Sequence, residues 1–434
     1  MAKYQNRHDP PVYQTMDEDD AVSGLIFPQK DFLDNGIPVH IIRADEQELL
    51  KMAFVFKAGS SYQGKPFTTY FTRKMLSEGT EKMTAKQIAE IFDFYGASIE
   101  IASNTEFIVI NILCLIGYLD KIIEVVYDIL FHSVFPENEL QLHKENKARD
   151  ILLDGQKVKE VARHHFCTML FGEKHPYGVF PSIDHVAAIS REDICGFYER
   201  FIRPGNFSMI IAGKINKDTI KTVNRFFGRH LFNGEERLYE RDFIVTADSR
   251  RQQFFPVVGA VQSALRVGNH AINRLHEDYP VLSVLNTVFG GYFGSRLMRN
   301  LREDKGYTYG VNSSLLSFPK AGYFFVSSEV KSIHTHDALH EIYYEMNRLR
   351  DEIVTDDELE RVKNVMFGRF LRSIDGVYAQ SELLTEMFRF GLDFSYFTHY
   401  LKQVRNVSSV QVNEIASKYF VAENMYEVIA GFKQ

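Results

Sequence analysis

The chain has 434 residues, 45 % of them hydrophobic and 25 % charged, the make-up of a soluble globular protein too long for one hydrophobic core, so two or three domains are expected. A formal net charge of −7 argues against nucleic acid as a partner, because phosphate binding needs a basic surface. Three scattered cysteines, Cys114, Cys167 and Cys195, have no CxxC spacing and are odd in number, which points to reduced core residues rather than a disulfide framework.

Residues 1–30 are polar and proline-containing and are expected to wrap the surface as an N-terminal extension. The start, MAKYQNRHDPPVYQ, shows no apolar signal-peptide core. The longest apolar run, Phe107 to Ile116, is broken by Asn111 and is too short for a bilayer. A cytoplasmic protein with no membrane partner is the expectation. Asn35-Gly36 marks a turn before the alternating Ile37, Val39 and Ile41, and Met52 to Phe56 is a second apolar run, so two strands are predicted. Pro66 to Leu76 turns helical, Gly79-Thr80 ends it, and Thr84 can cap another helix through Phe94. Ile99 to Leu115 reads as a strand pair and Leu119 to Phe131 as an amphipathic helix. A helical region from Glu137 to about Leu170 is interrupted at Asp154-Gly155.

The second half repeats this order. Glu139-Leu140, Lys144, Asp154-Gly155 and Phe171-Gly172 reappear about 220 residues on as Glu358-Leu359, Lys363, Asp375-Gly376 and Phe390-Gly391. Each half also closes on a related strand, NFSMIIAGK from Asn206 and NMYEVIAGFK from Asn424. The chain is therefore predicted to be α+β, two tandem homologous domains, each a sheet with helices mainly on one face. The boundaries fall at 31–228 and 252–434, with a charged linker over 229–251. Residue patterns give no argument for strand order.

The stretch Gly290 to Gly310, GGYFGSRLMRNLREDKGYTYG, combines a helix and a strand. Ser295 is placed to cap a helix that buries Leu297, Met298 and Leu301, with Arg296, Arg299 and Arg302 on another side and Gly306 as its stop. Tyr307, Tyr309, Val311 and Ser313 then alternate as a strand, which brings Arg302 and Tyr309 to one corner. Read in isolation, the arginines are a solvated face and the tyrosines ordinary strand residues.

With NGIPV near its start, TTYFTRKMLSEGT at Thr68 to Thr80 and LREDKGYTYG in the second copy, the chain resembles the pitrilysin/insulinase family of inverzincin zinc peptidases over nearly its whole length. The resemblance implies the duplicated LuxS/mitochondrial-processing-peptidase-like fold. It also implies a zinc site built on an inverted HxxEH helix just before the MLxxGT segment. Two neutral imidazoles at i and i+4 must bind the metal, with a glutamate between them as base. Here those positions are Tyr70, Arg73 and Lys74, and neither a guanidinium nor an ammonium has a lone pair to donate. The family's third ligand maps to Asp150, on a helix that also bears Glu145 and Asp154, and Arg73 or Lys74 is expected to pair with Asp150. The metal site is thus degenerate, and no metal or cofactor is expected in this chain.

The family's second copy supplies an arginine and a tyrosine seven residues apart to the zinc site, and Arg302 and Tyr309 match that spacing. The resemblance therefore implies the zinc-less subunit of a heteromeric metallopeptidase. Zinc would reside in an HxxEH-bearing homologous partner, and short unfolded peptides would be the substrates, adding to an edge over Ser98 to Glu106. Two alternatives stand beside it: a non-catalytic structural or assembly protein that keeps only the fold, and an enzyme with a different site. For the last, His334, His336, His340 and Glu341 are the candidate metal ligands, ahead of the adjacent His164 and His165, which fall on different sides of a helix.

Overall fold

The computed structural model describes residues 22–45, 47–229 and 243–432. The first copy contains strands β1 (Gln29–Phe32), β2 (Pro38–Arg43), β3 (Leu49–Phe56), β4 (Ser98–Ser103), β5 (Ile108–Leu115) and β6 (Phe207–Gly213). Its helices are α1 (Thr68–Met75), α2 (Ala85–Phe94), α3 (Leu119–Phe131), α4 (Glu137–Asp154), α5 (Val158–Phe171), α6 (Ile183–Ala187), α7 (Arg191–Phe201) and α8 (Lys217–Phe227). The second copy contains β7 (Gln252–Pro256), β8 (Gln262–Ala271), β9 (Thr308–Phe318), β10 (Ala321–Lys331) and β11 (Tyr426–Gly431). Its helices are α9 (Tyr279–Asn286), α10 (Thr335–Asp351), α11 (Asp356–Ser373), α12 (Gly376–Phe388), α13 (Ser395–Asn406) and α14 (Ser409–Tyr419).

Local chemistry sets many of these limits. Thr84 and Gln87 close a reciprocal capping box at the start of α2, and Ser190 with Asp193 and Ser408 with Gln411 do the same for α7 and α14. Asp154-Gly155 separates α4 from α5, and Asp375-Gly376 separates α11 from α12, with Gly376 at φ +79°.

The sheets run β1-β2-β6-β3-β5-β4 and β7-β11-β8-β10-β9. Without the added edge strand β1 they have one topology, in which the last strand of each copy inserts beside its first, parallel to it, and all other pairings are antiparallel. Burial accounts for this order. The inserted strand β6, FSMIIAG, is apolar toward both faces, as only an interior strand can be, whereas β4 and β9 alternate toward solvent and form the edges.

Each sheet is covered on one face by helices of its own copy. Phe54, Ile110 and Ile211 pack with Phe71, Ile122 and Phe227 in the first, and Leu265, Phe324 and Val326 with Leu285, Ile342 and Phe420 in the second. The opposite faces are covered by helices of the other copy. Ala53, Val55 and Ile210 meet Val377, Leu384 and Met387, while Ala264, Phe325 and Val428 meet Ala162, Phe166 and Leu170. Two ion pairs lock this exchange: Lys51 Nζ to Glu382 at 2.6 Å and Arg389 to Glu106 at 2.8 Å, the latter with both side chains largely buried.

The expected N-terminal extension over 1–30 falls in part outside the described residues. From residue 22 on it is anchored rather than loosely draped: Leu25 is buried, and Gln380 of α12 donates to Gly24 O and accepts from Ile26 N–H. Of the expected linker, 230–242 lie outside the described residues. Residues 243–251 run along the end of α5, with Thr246 N–H on Phe171 O and Asp248 N–H on Met169 O. No helix among the described residues is long and apolar enough to cross a membrane.

Candidate functional site

Helix α1 buries Thr68, Phe71, Thr72 and Met75, so the i, i+3, i+4 set Tyr70, Arg73 and Lys74 shares the opposite, half-buried face. Arg73 lies over the Tyr70 ring, with its guanidinium carbon 5.1 Å from the centroid. Its Nη1 donates to Ile101 O at 3.0 Å, and its Nε is buried without a hydrogen-bond partner. Burial pushes the Tyr70 phenol up, the Arg73 charge pulls it back, and Asp150 adds to the rise. The expected ion pair is not formed: among the described residues neither Arg73 nor Lys74 pairs with Asp150. Asp150 is exposed on α4, and the side chain that α4 sends to this face is Lys147, whose ammonium lies 5.0 Å from the Tyr70 centroid and 5.6 Å from that of Phe67. Phe67, just ahead of α1, has φ +72°, an unfavourable backbone for a bulky residue.

Edge strand β4 borders this face. Asn104 N–H donates to Phe107 O across the hairpin, so in the antiparallel register Ala102↔Val109 and Glu100↔Asn111 are the hydrogen-bonded pairs. Ile99, Ile101 and Ser103 therefore turn their N–H and C=O groups to the open edge. Arg73 takes one of those carbonyls. The expectation of an edge over Ser98 to Glu106 holds for Ser98–Ser103; Glu106 instead joins the Arg389 pair and accepts from Tyr177 Oη.

The second-copy corner follows two π-helical turns, Thr287–Gly291 and Met298–Asp304. The second is wound wide, with Lys305 N–H on Asn300 O, and Gly306 at φ +65° ends it. Leu297, Met298 and Leu301 are buried as the periodicity predicts. Ser295 does not act as a side-chain cap, because it is itself buried and its Oγ has no partner. The wider winding also separates the three arginines. Arg296 makes a bidentate pair with Glu358, Arg299 is exposed, and Arg302 is sandwiched between Phe293 at 4.6 Å and Tyr309 at 5.3 Å. The strand starts at Thr308 rather than Tyr307, and Tyr307 stacks on His334.

Arg302 and Tyr309 are thus together, and Tyr309, on an edge strand, is 90 % exposed. Among the described residues no contact links this pair to Tyr70, Arg73 or Lys74. Four residues outside the LREDKGYTYG motif complete the corner. Phe293 supplies the second aromatic face, and Asn300 Nδ2 ties the turn to α10 through Glu341 at 2.9 Å and Glu345 at 2.8 Å. The exposed phenylalanine in a glycine-rich turn was the available sequence signal for Phe293; the carboxylates of α10 gave none.

Fold and site define a duplicated α+β unit with a cationic helix face in one copy and an arginine–tyrosine pair in the other. Residues 39–171 match the model of the insulinase family, peptidase family M16, and residues 188–366 match that of the peptidase M16 inactive domain. The chain is 25 % identical over 308 residues to an uncharacterized zinc protease of Bacillus subtilis (strain 168), covering 71 % of this chain and 74 % of the relative. It is 23 % identical over 407 residues to an uncharacterized zinc protease of Rickettsia felis, covering 89 % and 94 %. Among solved structures, the fold is shared with a peptidase M16 inactive domain from Pseudomonas fluorescens, TM-score 0.82 at 21 % identity over 94 % and 98 % of the two chains. A protease from Helicobacter pylori gives TM-score 0.84 at 16 % identity over 94 % and 100 %. The chain belongs to the M16 (insulinase) peptidase family.

Zinc, the metal this family implies, does not fit the residues present. Around α1 stand the Arg73 guanidinium and the Lys74 and Lys147 ammonium groups, which repel a dication and have no lone pair to give it, and the single neutral Tyr70 phenol does not make a ligand set. Among the described residues no three histidine, cysteine, aspartate or glutamate side chains are grouped to hold a metal, which also removes the His334, His336, His340 and Glu341 candidate. His334 packs on Tyr307, and Glu341 is engaged by Asn300 and Lys305.

Proposed function

We propose that this chain is the zinc-less subunit of a heteromeric M16 peptidase and lends Arg302 and Tyr309 to the zinc site of a homologous, HxxEH-bearing partner. The observation that carries the reading is the exposure of Tyr309 beside a fixed Arg302. A phenol at a sheet edge, with no hydrogen-bond partner among the described residues, is available to a group from outside the chain.

In such a site zinc, held by the partner's HxxEH helix, would supply activation of the attacking water. This chain's Tyr309 O–H is then the donor placed where negative charge grows on the peptide carbonyl oxygen, and the Arg302 guanidinium holds the substrate backbone. Phe293 and Tyr309 limit the swing of Arg302, so less ordering is left to binding. Short unfolded peptides suit the arrangement, because strand addition reads backbone more than side chains.

The test is co-expression with an HxxEH-bearing homologue from the same genome, assayed on an unstructured peptide against each subunit alone. The complex should cleave and neither subunit alone should, and Tyr309→Phe should cut kcat/KM on the order of 10²–10³-fold. If neither a complex nor activity appears, the reading fails. A complex whose activity ignores Tyr309→Phe would make the chain an assembly protein.

A further inference from the structure

The two copies finish the same end of their sheets with different chemistry. Five residues join β2 to β3 and five join β7 to β8, and Ala44 N–H on Gly213 O matches Val257 N–H on Gly431 O. The pairs Leu50↔Gly213 and Ala264↔Ala430, with Leu49↔Leu115 and Gln262↔Lys331, then fix which positions correspond. Asp45 answers to Val258, Glu48 to Val261, Lys214 to Phe432 and Gly117 to Ile333. In the first copy Glu48 and Lys214 form an ion pair, and Asp45 is exposed. In the second, all four positions carry large apolar side chains open to solvent: Val258 is fully exposed, Val261 84 %, Ile333 67 % and Phe432 56 %. One topology accommodates charge at these positions, so the fold itself does not call for the apolar set.

The four side chains stand at one end of adjacent strands. In the order β7-β11-β8-β10-β9, Val258 follows β7, Phe432 follows β11, Val261 precedes β8 and Ile333 follows β10. The fifth strand, β9, starts at the same end, where Thr308 pairs with Val330, and its second residue is the exposed Tyr309. His334, next to Ile333, stacks on Tyr307 and joins the apolar set to the Arg302 and Tyr309 corner. The row therefore carries one exposed apolar or aromatic residue per strand over four strand spacings, about 19 Å. Single exposed hydrophobics are ordinary on a protein surface, whereas a contiguous row marks a contact surface. Its length suits the apolar core of a standard interface of about 800 Å² per partner, with polar residues at the rim. Exposed Lys331 holds such a rim position.

We propose that this row seats the homologous HxxEH-bearing subunit: Val258, Val261, Ile333 and Phe432 hold it, while Tyr309, at the end of the row, enters its zinc site. The inference rests on the reading of this chain as a zinc-less subunit and adds the surface through which the two chains meet. A partner that takes up Tyr309 must also cover the side chains beside it. A second copy of this chain would bring no HxxEH helix to that residue.

The test borrows the first copy's residues. The double variant Val261→Glu, Phe432→Lys installs the ion pair that the same topology carries between Glu48 and Lys214. Val258→Asp changes a side chain that has no packing to lose. Both variants should keep the urea midpoint of the parent, and if the double variant does not, Val258→Asp decides. The binding partner is an HxxEH-bearing homologue from the same genome, and affinity is measured by biolayer interferometry of the purified chains. The double variant should bind about a hundredfold more weakly and Val258→Asp about tenfold, as expected for losing two interface contacts and one. Tyr309→Phe should keep the complex and lose its cleavage. Unchanged affinity in the double variant overturns the proposal and leaves the subunit reading standing, whereas a parent chain that forms no complex overturns both. If the double variant instead abolishes self-association, or binding to vesicles of phosphatidylcholine with phosphatidylglycerol, while the complex keeps its affinity, the row belongs to a second copy or to a lipid surface and the proposal falls.

Discussion

Asn300 fixes the turn that carries Arg302, and its removal has a calculable cost. The side chain is 8 % exposed, and its Nδ2 donates to Glu345 Oε1 at 2.8 Å and Glu341 Oε2 at 2.9 Å. Glu345 is 3 % exposed, and without Asn300 its remaining side-chain partner among the described residues is Arg348, at 3.3 Å. A hydrogen bond to a charged group contributes about 1.5–3 kcal/mol. The Oδ1 of Asn300 is itself buried and unpartnered, which offsets part of the gain, so Asn300→Ala is expected to cost on the order of 3 kcal/mol. Asn300→Asp should cost more, because it sets a third carboxylate against Glu341 and Glu345. Urea titration followed by circular dichroism measures both. A loss below about 1 kcal/mol for the alanine variant, or an aspartate variant as stable as the parent, would refute the reasoning.

Further outcomes follow from the same geometry. Tyr309→Phe should leave the urea midpoint where it is, since the ring is almost fully exposed, so any loss of partner-dependent cleavage in that variant is chemical. Arg296→Met breaks a largely buried bidentate pair with Glu358 and should cost about 3–5 kcal/mol, most of which the double variant Arg296→Met, Glu358→Leu should recover; equal losses in the single and double variants would show the pair is not the cause. Burial, and then the neighbouring Arg163, holds the His164 imidazole down at about 4. The unfolded chain takes up that proton near 6.5, so this contribution to stability is complete above pH 6.5 and is lost as pH falls toward 4. His165, His175 and His270, all lowered by burial, steepen the decline. Melting temperatures at pH 7, 5.5 and 4.5 (on the scale of these shifts) should fall in that order, and His164→Gln should flatten the profile. Chelator treatment of the isolated chain should leave its melting temperature unchanged, because α1 offers no ligand set; a drop would locate a metal elsewhere.

The duplication, the break at Asp154-Gly155, the helix from Leu119 to Phe131, the capped start at Thr84 and the corner that joins Arg302 to Tyr309 were all legible in the sequence. They rest on spacing and local capping, which act within a few residues. The Tyr70, Arg73, Lys74 set was legible too, because three residues at helical spacing must share a face, and their chemistry excludes a metal wherever that face points.

Strand order was not legible, since it depends on which apolar strand is buried on both sides, and that is fixed only when the last strand of each copy returns to its sheet. The exchange of α5 and α12 between the copies, the Lys51–Glu382 and Arg389–Glu106 locks, and the anchoring of Asn300 by α10 join residues far apart in the chain. The expected pairing of Arg73 or Lys74 with Asp150 failed for the same reason. A helix can present Lys147 or Asp150 depending on its rotation, and that rotation is set by packing, not by the count of residues between two motifs. Sequence alone determined that Tyr70, Arg73 and Lys74 stand on one helix face and that Arg302 and Tyr309 meet at one helix-to-strand corner. The tertiary structure decided that the cationic face lies beside an open strand edge, because only folding brings Arg73 to the carbonyl of Ile101.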